Sequence, residues 1–244
     1  MPQSVVPYPK LENKTKKEQV AMMFDNISAR YDFLNRLLSV GIDVYWRNKT
    51  LSYLKADQPQ VLLDVATGTG DLALAAFKKL KPKQIIGIDI SEGMLNIGKT
   101  KVKKAGLENY ITLEVADAEQ LPFADNTFDA VVVAFGVRNF EHLDKGLTDI
   151  KRVLKKEGKL VVLEFSKPKN FPVKQFYSFY FRYVLPKIGK LVSKDSSAYT
   201  YLPQSVNAFP EGEEFLSVMD HLGYKNTLQD RLTFGIASVY VGQK

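Results

Sequence analysis

The 244-residue sequence contains no cysteine, one tryptophan and two histidines, His142 and His221. Without thiols there is no disulfide framework, no thiolate metal site and no cysteine nucleophile. Two imidazoles are too few for a histidine metal cluster, so no metal centre is expected. No apolar run approaches the roughly 20 residues needed to span a bilayer. Residues 1–20 also lack the apolar core and small-residue cleavage site of a secretory signal, so a cytoplasmic protein is expected. Hydrophobic residues make up 45% and charged residues 25%, as in ordinary globular domains. Aromatics are plentiful, with 15 Phe and 12 Tyr, enough for a large core and a ligand site besides. The formal charge of +7 admits nucleic acid, an anionic membrane face or no partner at all, and the placement of the charges has to decide.

Residues 1–13 read as a flexible, proline-containing tail, followed by a helical cap over 14–56. Val20, Met23, Phe24 and Ile27 recur at helical spacing, as do Tyr31, Leu34, Leu37 and Leu38. Gly41 breaks the run, and Asp43 is placed to cap the helix carrying Trp46 and Leu51. From residue 57 to the end the pattern alternates strand, turn and helix. The apolar runs at 61–63, 84–88, 111–113, 130–134 and 160–163 are short and rich in β-branched residues. Helical stretches over 71–81, 91–105 and 144–155 separate them. Short apolar strands alternating with helices predict a parallel sheet covered on both faces. A helical insertion over about 167–210, a helix near 211–222 and strands at 225–229 and 233–241 complete the chain.

The first strand ends in Asp64-Val65-Ala66-Thr67-Gly68-Thr69-Gly70-Asp71 and runs into a helix. Glycines there let the backbone turn sharply and leave room for a ligand. Read as a bare string, Gly68 to Ala73 also fits a dinucleotide-binding turn, and such matches are weak alone. Three acids argue for S-adenosylmethionine instead. Asp89, closing the second strand, can accept from both ribose hydroxyls. Asp117, with Ala118 behind it, can take the adenine amino group and offer a backbone N–H. Asp64, buried at the strand end, needs a cationic or N–H partner, which the cofactor's α-amino group supplies. A pyrophosphate at this turn would be repelled by Asp64 and Asp71.

With those residues the chain resembles the ubiquinone/menaquinone-biosynthesis C-methyltransferases. The likeness runs from about Met23 to Gly242 through Phe24-Asp25-Asn26-Ile27, Tyr31-Asp32, Trp46-Arg47, Asp71-Leu72-Ala73 and Asp89-Ile90-Ser91-Glu92-Gly93-Met94-Leu95. It continues through Asp117-Ala118-Glu119, Phe135-Gly136-Val137-Arg138-Asn139, Leu163-Glu164-Phe165-Ser166-Lys167-Pro168 and Tyr201-Leu202-Pro203. The resemblance implies a class I S-adenosylmethionine methyltransferase fold: an α/β, doubly wound, mostly parallel sheet of seven strands with the last antiparallel. It implies C-methylation of a reduced polyprenyl quinone precursor, demethylmenaquinol or its ubiquinone-pathway counterpart. Ala134 stands where the family often has serine, a backbone contact to the cofactor, and Tyr240 replaces an expected histidine. The competing readings are another phenolic or lipid acceptor and a non-catalytic scaffold; the intact set Asp64, Gly68, Gly70, Asp89 and Asp117 argues against a scaffold.

A sulfonium is already an activated electrophile, so the protein must align a carbon nucleophile and exclude water. A phenol titrates near pH 10, and a cation that stabilises phenolate raises the rate. Arg138, on the loop after the fourth strand, is the candidate; the competing reading is a surface pair with Glu141 or Asp144. Tyr31 is a candidate to hold or relay the phenol proton, and otherwise an ordinary core tyrosine. Asp117 combines its adenine role with a water-linked base role. Thr69 completes the cofactor turn. Over 167–194 the charged residues are Lys167, Lys169, Lys174, Arg182, Lys187, Lys190 and Lys194, with no acid, interleaved with Phe171, Phe176, Tyr177, Phe179, Tyr180, Phe181 and Tyr183. One apolar stripe suffices for a helix buried on one side. The surplus predicts contact with a prenyl chain or peripheral contact with an anionic membrane surface; a homodimer face or a core helix is the alternative, and no nucleic acid is expected.

Overall fold

A computed structural model describes residues 5–39, 41–180, 183 and 197–244. Phe181, Arg182, Lys187, Lys190 and Lys194 lie outside the described residues. Two N-terminal helices, α1 (Lys16–Leu38) and α2 (Ile42–Ser52), precede the alternating part. That part runs β1 (Val61–Val65), α3 (Asp71–Leu80), β2 (Gln84–Asp89), α4 (Glu92–Lys104), β3 (Ile111–Val115), β4 (Phe128–Ala134), α5 (Leu143–Val153) and β5 (Leu154–Phe165). After β5 come α6 (Val173–Phe179), α7 (Ser197–Ala208), α8 (Glu213–His221), β6 (Lys225–Leu232) and β7 (Ala237–Gln243). The sheet order is β3-β2-β1-β4-β5-β7-β6. Strands β1 to β5 pair in parallel, and β7 runs antiparallel to both β5 and β6. The expected seven-stranded, doubly wound sheet with its last strand antiparallel is the observed one.

The strands form because continuous β-branched runs can be buried on both faces only in such a sheet. One core lies under α2, α3 and α4 and includes Leu51, Leu62, Ala76 and Leu95. The other lies under α5 and α8 and includes Leu63, Val131, Leu147 and Phe215. Each fully buried leucine contributes about 1.5–3 kcal/mol of transfer energy. A third cluster joins α1 to α7 through Val20, Met23, Ile27, Tyr199 and Tyr201. It holds the N-terminal helix across the carboxyl edge of the sheet, where ligands bind in folds of this kind.

Several expectations need correction. Asp43 does not cap α2: Gly41 occupies the N-cap with φ 78 and no side-chain bond. Asp43 sits two residues further in, within the first turn, buried, accepting from Ser39 Oγ (2.7 Å) and paired with Arg47. The last strand does not begin at 233. Thr233–Gly235 form a 3-10 turn, with Thr233 and Phe234 in the left-handed region, and β7 starts at Ala237. The helix before β5 ends at Val153, and β5 begins at Leu154. Within the stretch expected as a tail, the Tyr8 amide donates to Gln19 Oε1 (2.9 Å), and Gln19 Nε2 donates to the Leu11 and Lys14 carbonyls.

Candidate active site

Two open spaces meet at the carboxyl edge of β1 and β4. The first, about 680 Å³ counted out to its mouth, runs over the glycine turn and is bordered by Gly68, Asp89, Asp117, Ala118 and Ala134. The second, about 1600 Å³ on the same measure, is bordered by Trp46, Arg138, Phe165, Tyr177, Tyr199 and Tyr201. Phe24, Tyr31 and Phe135 border both.

The turn after β1 is built around left-handed glycines, Gly68 at φ 56 and Gly70 at φ 78, the latter capping α3. Among the described residues nothing lies within 4 Å of where a Gly68 side chain would begin, and Gly68 borders the first cleft. Asp89 is held from two sides: the Gly68 amide donates to Oδ2 (2.8 Å) and the Ser91 amide to Oδ1 (2.9 Å). Burial, opposed by those two amides, pushes the Asp89 carboxyl up to about 6. Asp64 is 1% exposed. Its Oδ2 accepts from Thr67 Oγ1 (2.7 Å), and its buried Oδ1 has no hydrogen-bond partner among the described residues. Burial raises it to about 7. It lies under the turn rather than on the cleft wall.

The other expected cofactor residues divide. Asp117 borders the cleft, accepts the Glu119 amide (3.0 Å) and is paired with Lys17 of α1. Ala118 and Ala134 border it too. The Thr69 side chain turns away: its hydroxyl donates to Asp32 Oδ1 (2.6 Å) and accepts from Lys101 Nζ (2.9 Å). Lys101 also bridges to Asp71 (2.7 Å), so α1, α3 and α4 are tied together behind the turn. Earlier in α1, Asp25 Oδ1 accepts from Ser91 Oγ (2.6 Å) and the Gly93 amide (2.9 Å). There a carboxylate meets the positive N-terminal end of α4.

Of the three catalytic candidates, Arg138 and Tyr31 share the second cavity and Asp117 does not. The partner of Arg138 is neither Glu141 nor Asp144 but Glu164. Arg138 Nη1 lies 2.7 Å from Glu164 Oε1, with side chains 8% and 0% exposed. Burial pushes the Glu164 carboxyl up while Arg138 pulls it down. Arg138 Nη1 also donates to the Phe135 carbonyl, whereas the buried Nε has no partner among the described residues. Burial raises the Tyr31 phenol above its ordinary value, so at neutral pH it donates a proton rather than accepting one. Tyr201, pushed up to about 12 by burial, donates to Asn139 Oδ1 (3.1 Å).

Sequence reasoning gave Glu164 and Asn139 no role. A carboxylate closing the apolar run Leu160 to Leu163 was the available signal, because a buried acid must be paired.

The ubiE/COQ5 methyltransferase family profile matches residues 12–244. The chain belongs to this family. Demethylmenaquinone methyltransferase of Bacteroides fragilis is 53% identical over 229 residues, covering 94% of both chains. Its counterpart in Porphyromonas gingivalis is 43% identical across 100% of this chain and 99% of that one. The ubiquinone/menaquinone biosynthesis C-methyltransferase UbiE of Geobacter sulfurreducens is 46% identical over 94% of this chain and 90% of its own. Among solved structures, a putative S-adenosyl-L-methionine-dependent methyltransferase of Methanococcus maripaludis superposes with a TM-score of 0.60 at 20% identity. It covers 95% of this chain and 94% of that one, a likeness of fold. The enzyme is therefore a methyltransferase of the ubiE/COQ5 family.

Proposed function

We propose that the enzyme methylates a ring carbon of a reduced polyprenyl quinone, demethylmenaquinol, to give menaquinol. The observation that carries this is the pair of joined cavities, one acid-lined over a glycine turn and the other large, apolar and aromatic with a buried arginine at its wall. S-adenosylmethionine is the methyl donor. When bound, it supplies a methyl group on sulfur that a carbon nucleophile can take. The protein fits that cofactor in three places. Asp89 is held by two amides at the ribose position, Gly68 leaves its side-chain space free, and Asp117 with Ala118 borders the same cleft.

The acceptor ring is more nucleophilic the more phenolate character it carries. Arg138, which borders the acceptor cavity, would donate to the phenolic oxygen as negative charge develops. Tyr31 is positioned as a second donor. Asp117 serves the cofactor end.

The substrate's tail confines it to the bilayer, and no helix among the described residues is long and apolar enough to cross a membrane. The aromatics at the cavity's outer rim suit peripheral docking. Phe171, Phe176 and Phe234 are 81%, 71% and 82% exposed, with Lys169 and Lys174 exposed beside the first two.

The test of the reaction is lipid extraction from a strain lacking the gene. The expected result is accumulation of demethylmenaquinone, reversed by the parent gene. Accumulation of a demethylated benzoquinone alone would move the acceptor to the ubiquinone pathway, and an unchanged quinone pool would overturn the assignment.

A further inference from the structure

Three aromatic side chains, Phe24 and Tyr31 of α1 and Phe135 after β4, stand where the two cavities join. A donor bound over the glycine turn must present its methyl group through this junction, so the positively charged sulfur has to sit there. No carboxylate among the described residues borders both cavities. Asp89, Asp117, Glu119 and Glu141 border only the first, and Asp43 only the second. The cations bordering the acceptor cavity, Arg47 and Arg138, are already paired, with Asp43 and Glu164. What faces the sulfur is therefore aromatic.

The rings are firmly placed. Phe24 and Tyr31 meet edge to face at 5.9 Å and 78°. Phe135 packs on Phe165 at 4.5 Å and on Trp46 at 6.1 Å. Its backbone is left-handed, φ 58, an uncommon state for a side chain of that size. The loop is pinned beside it, because a side chain at Gly136 would come within 2.5 Å of the Ala66 methyl group. The Phe135 amide donates to the Leu163 carbonyl at 2.7 Å. Strain held in place by packing at a ligand junction is a sign of use.

We propose that Phe24, Tyr31 and Phe135 form a collar that recognises the sulfonium charge through the negative faces of their rings, so that the enzyme holds the charged methyl donor more tightly than the neutral thioether it becomes. This rests on S-adenosylmethionine being the donor. The two ligands share adenine, ribose and amino acid, and differ only in the methyl group and its charge. Acid contacts at the far ends of the cleft cannot tell them apart; a ring stack at the sulfur can. Methyl transfer then weakens the enzyme's grip on its own product and favours release.

Calorimetry with S-adenosylmethionine and S-adenosylhomocysteine on the parent enzyme and on Phe135→Leu and Phe24→Leu tests this. Each substitution is expected to raise Kd for the sulfonium ligand roughly two- to fivefold, with Kd for the thioether unchanged. Inhibition by S-adenosylhomocysteine should become correspondingly stronger relative to KM. Because Phe135→Leu can disturb the loop, a second series places mono-, di- and trifluorinated phenylalanine at position 135. These keep the shape and progressively weaken the ring face. The affinity ratio should fall stepwise along that series. Equal losses for both ligands, or a ratio indifferent to fluorination, overturns the collar. Failure of the parent enzyme to bind either ligand overturns the cofactor reading instead.

Discussion

Arg138 and Glu164 form a buried ion pair, 2.7 Å from Nη1 to Oε1, at the wall of the acceptor cavity. A buried pair is held only while both members are present, because removing one strands the other in a medium that cannot solvate it. The catalytic candidate is thus also a structural one, and its two roles must be separated by experiment.

Arg138→Met is expected to destabilise the enzyme by about 3–5 kcal/mol near neutral pH, and to lower kcat sharply. Without arginine the folded-state pKa of Glu164, already raised by burial, rises further. The penalty should then be small near pH 4–5, where Glu164 is protonated, and grow as pH increases. The double variant Arg138→Met/Glu164→Gln should recover most of the stability and none of the turnover. Denaturant unfolding at pH 5 and pH 8, with kcat measured alongside, checks both parts. Recovery of kcat in the double variant would show that Arg138 acts only by satisfying Glu164.

Asp89→Ala is expected to weaken S-adenosylmethionine binding by about 1.5–3 kcal/mol, the worth of hydrogen bonds to a charged acceptor. Asp89 also receives the Gly68 and Ser91 amides, so part of that loss reflects a loosened turn. Asp89→Asn, which keeps one acceptor, should lose less. Calorimetry on folded variants decides, and an unaltered Kd in both would remove Asp89 from the ribose site.

Much of this site is legible in the order of its residues. Uninterrupted β-branched runs specify the sheet, and a glycine turn between strand and helix, with acids closing the first three strands, locates the cofactor cleft. What escapes such reading is set by contacts distant in the chain. Asp43 obeys a local capping rule on paper, but Arg47 and Ser39 draw its carboxylate inward. Thr69 lies in the right turn, yet Asp32 and Lys101, on two other helices, claim its hydroxyl. Phe24 reads as one more apolar position of a helix, and Phe135 carries no signal of its own, because nothing local marks the place where two cavities join. The basic aromatic insertion is legible as composition, and its partner is a matter for experiment.

Cofactor affinity should depend on pH with a definite sign. Burial raises Asp64 to about 7 and Asp89 to about 6, well above an unfolded aspartate. The free enzyme therefore gains protons on folding between about pH 4 and 7 and loses stability as pH rises through that window. A cationic ligand prefers ionised carboxylates, so its affinity should rise with pH and level off above 7. Asp64→Asn should bind more weakly and flatten the upper part of the curve. Titration calorimetry from pH 5.5 to 8 is the measurement. A flat profile for the parent enzyme would mean that neither carboxylate meets positive charge.

The last prediction concerns how a membrane-confined quinol reaches the cavity. Phe171 and Phe234 are almost fully exposed, and Phe234 is held outward on a left-handed turn. That turn is tied to α2 by the Trp46 Nε1 bond to Thr233 Oγ1 (2.8 Å). Val173 and Ile236, each two residues away, border the acceptor cavity, so the exposed rings stand at its rim. Rings at an interface with lysines beside them suit an anionic bilayer, where each basic residue contributes about 1 kcal/mol within a Debye length. The enzyme should bind vesicles containing phosphatidylglycerol, ignore purely zwitterionic ones, and be released by salt. Lys169→Glu with Lys174→Glu should weaken binding, as should glutamates at Lys187, Lys190 and Lys194. Phe171→Ser with Phe234→Ser should weaken it in a way salt does not reproduce. All three sets should slow turnover of a vesicle-embedded quinol far more than that of a short-tailed soluble analogue. Equal losses on both substrates would make the rim part of the acceptor site. Absence of vesicle binding together with a doubled mass in sedimentation would make it a dimer face.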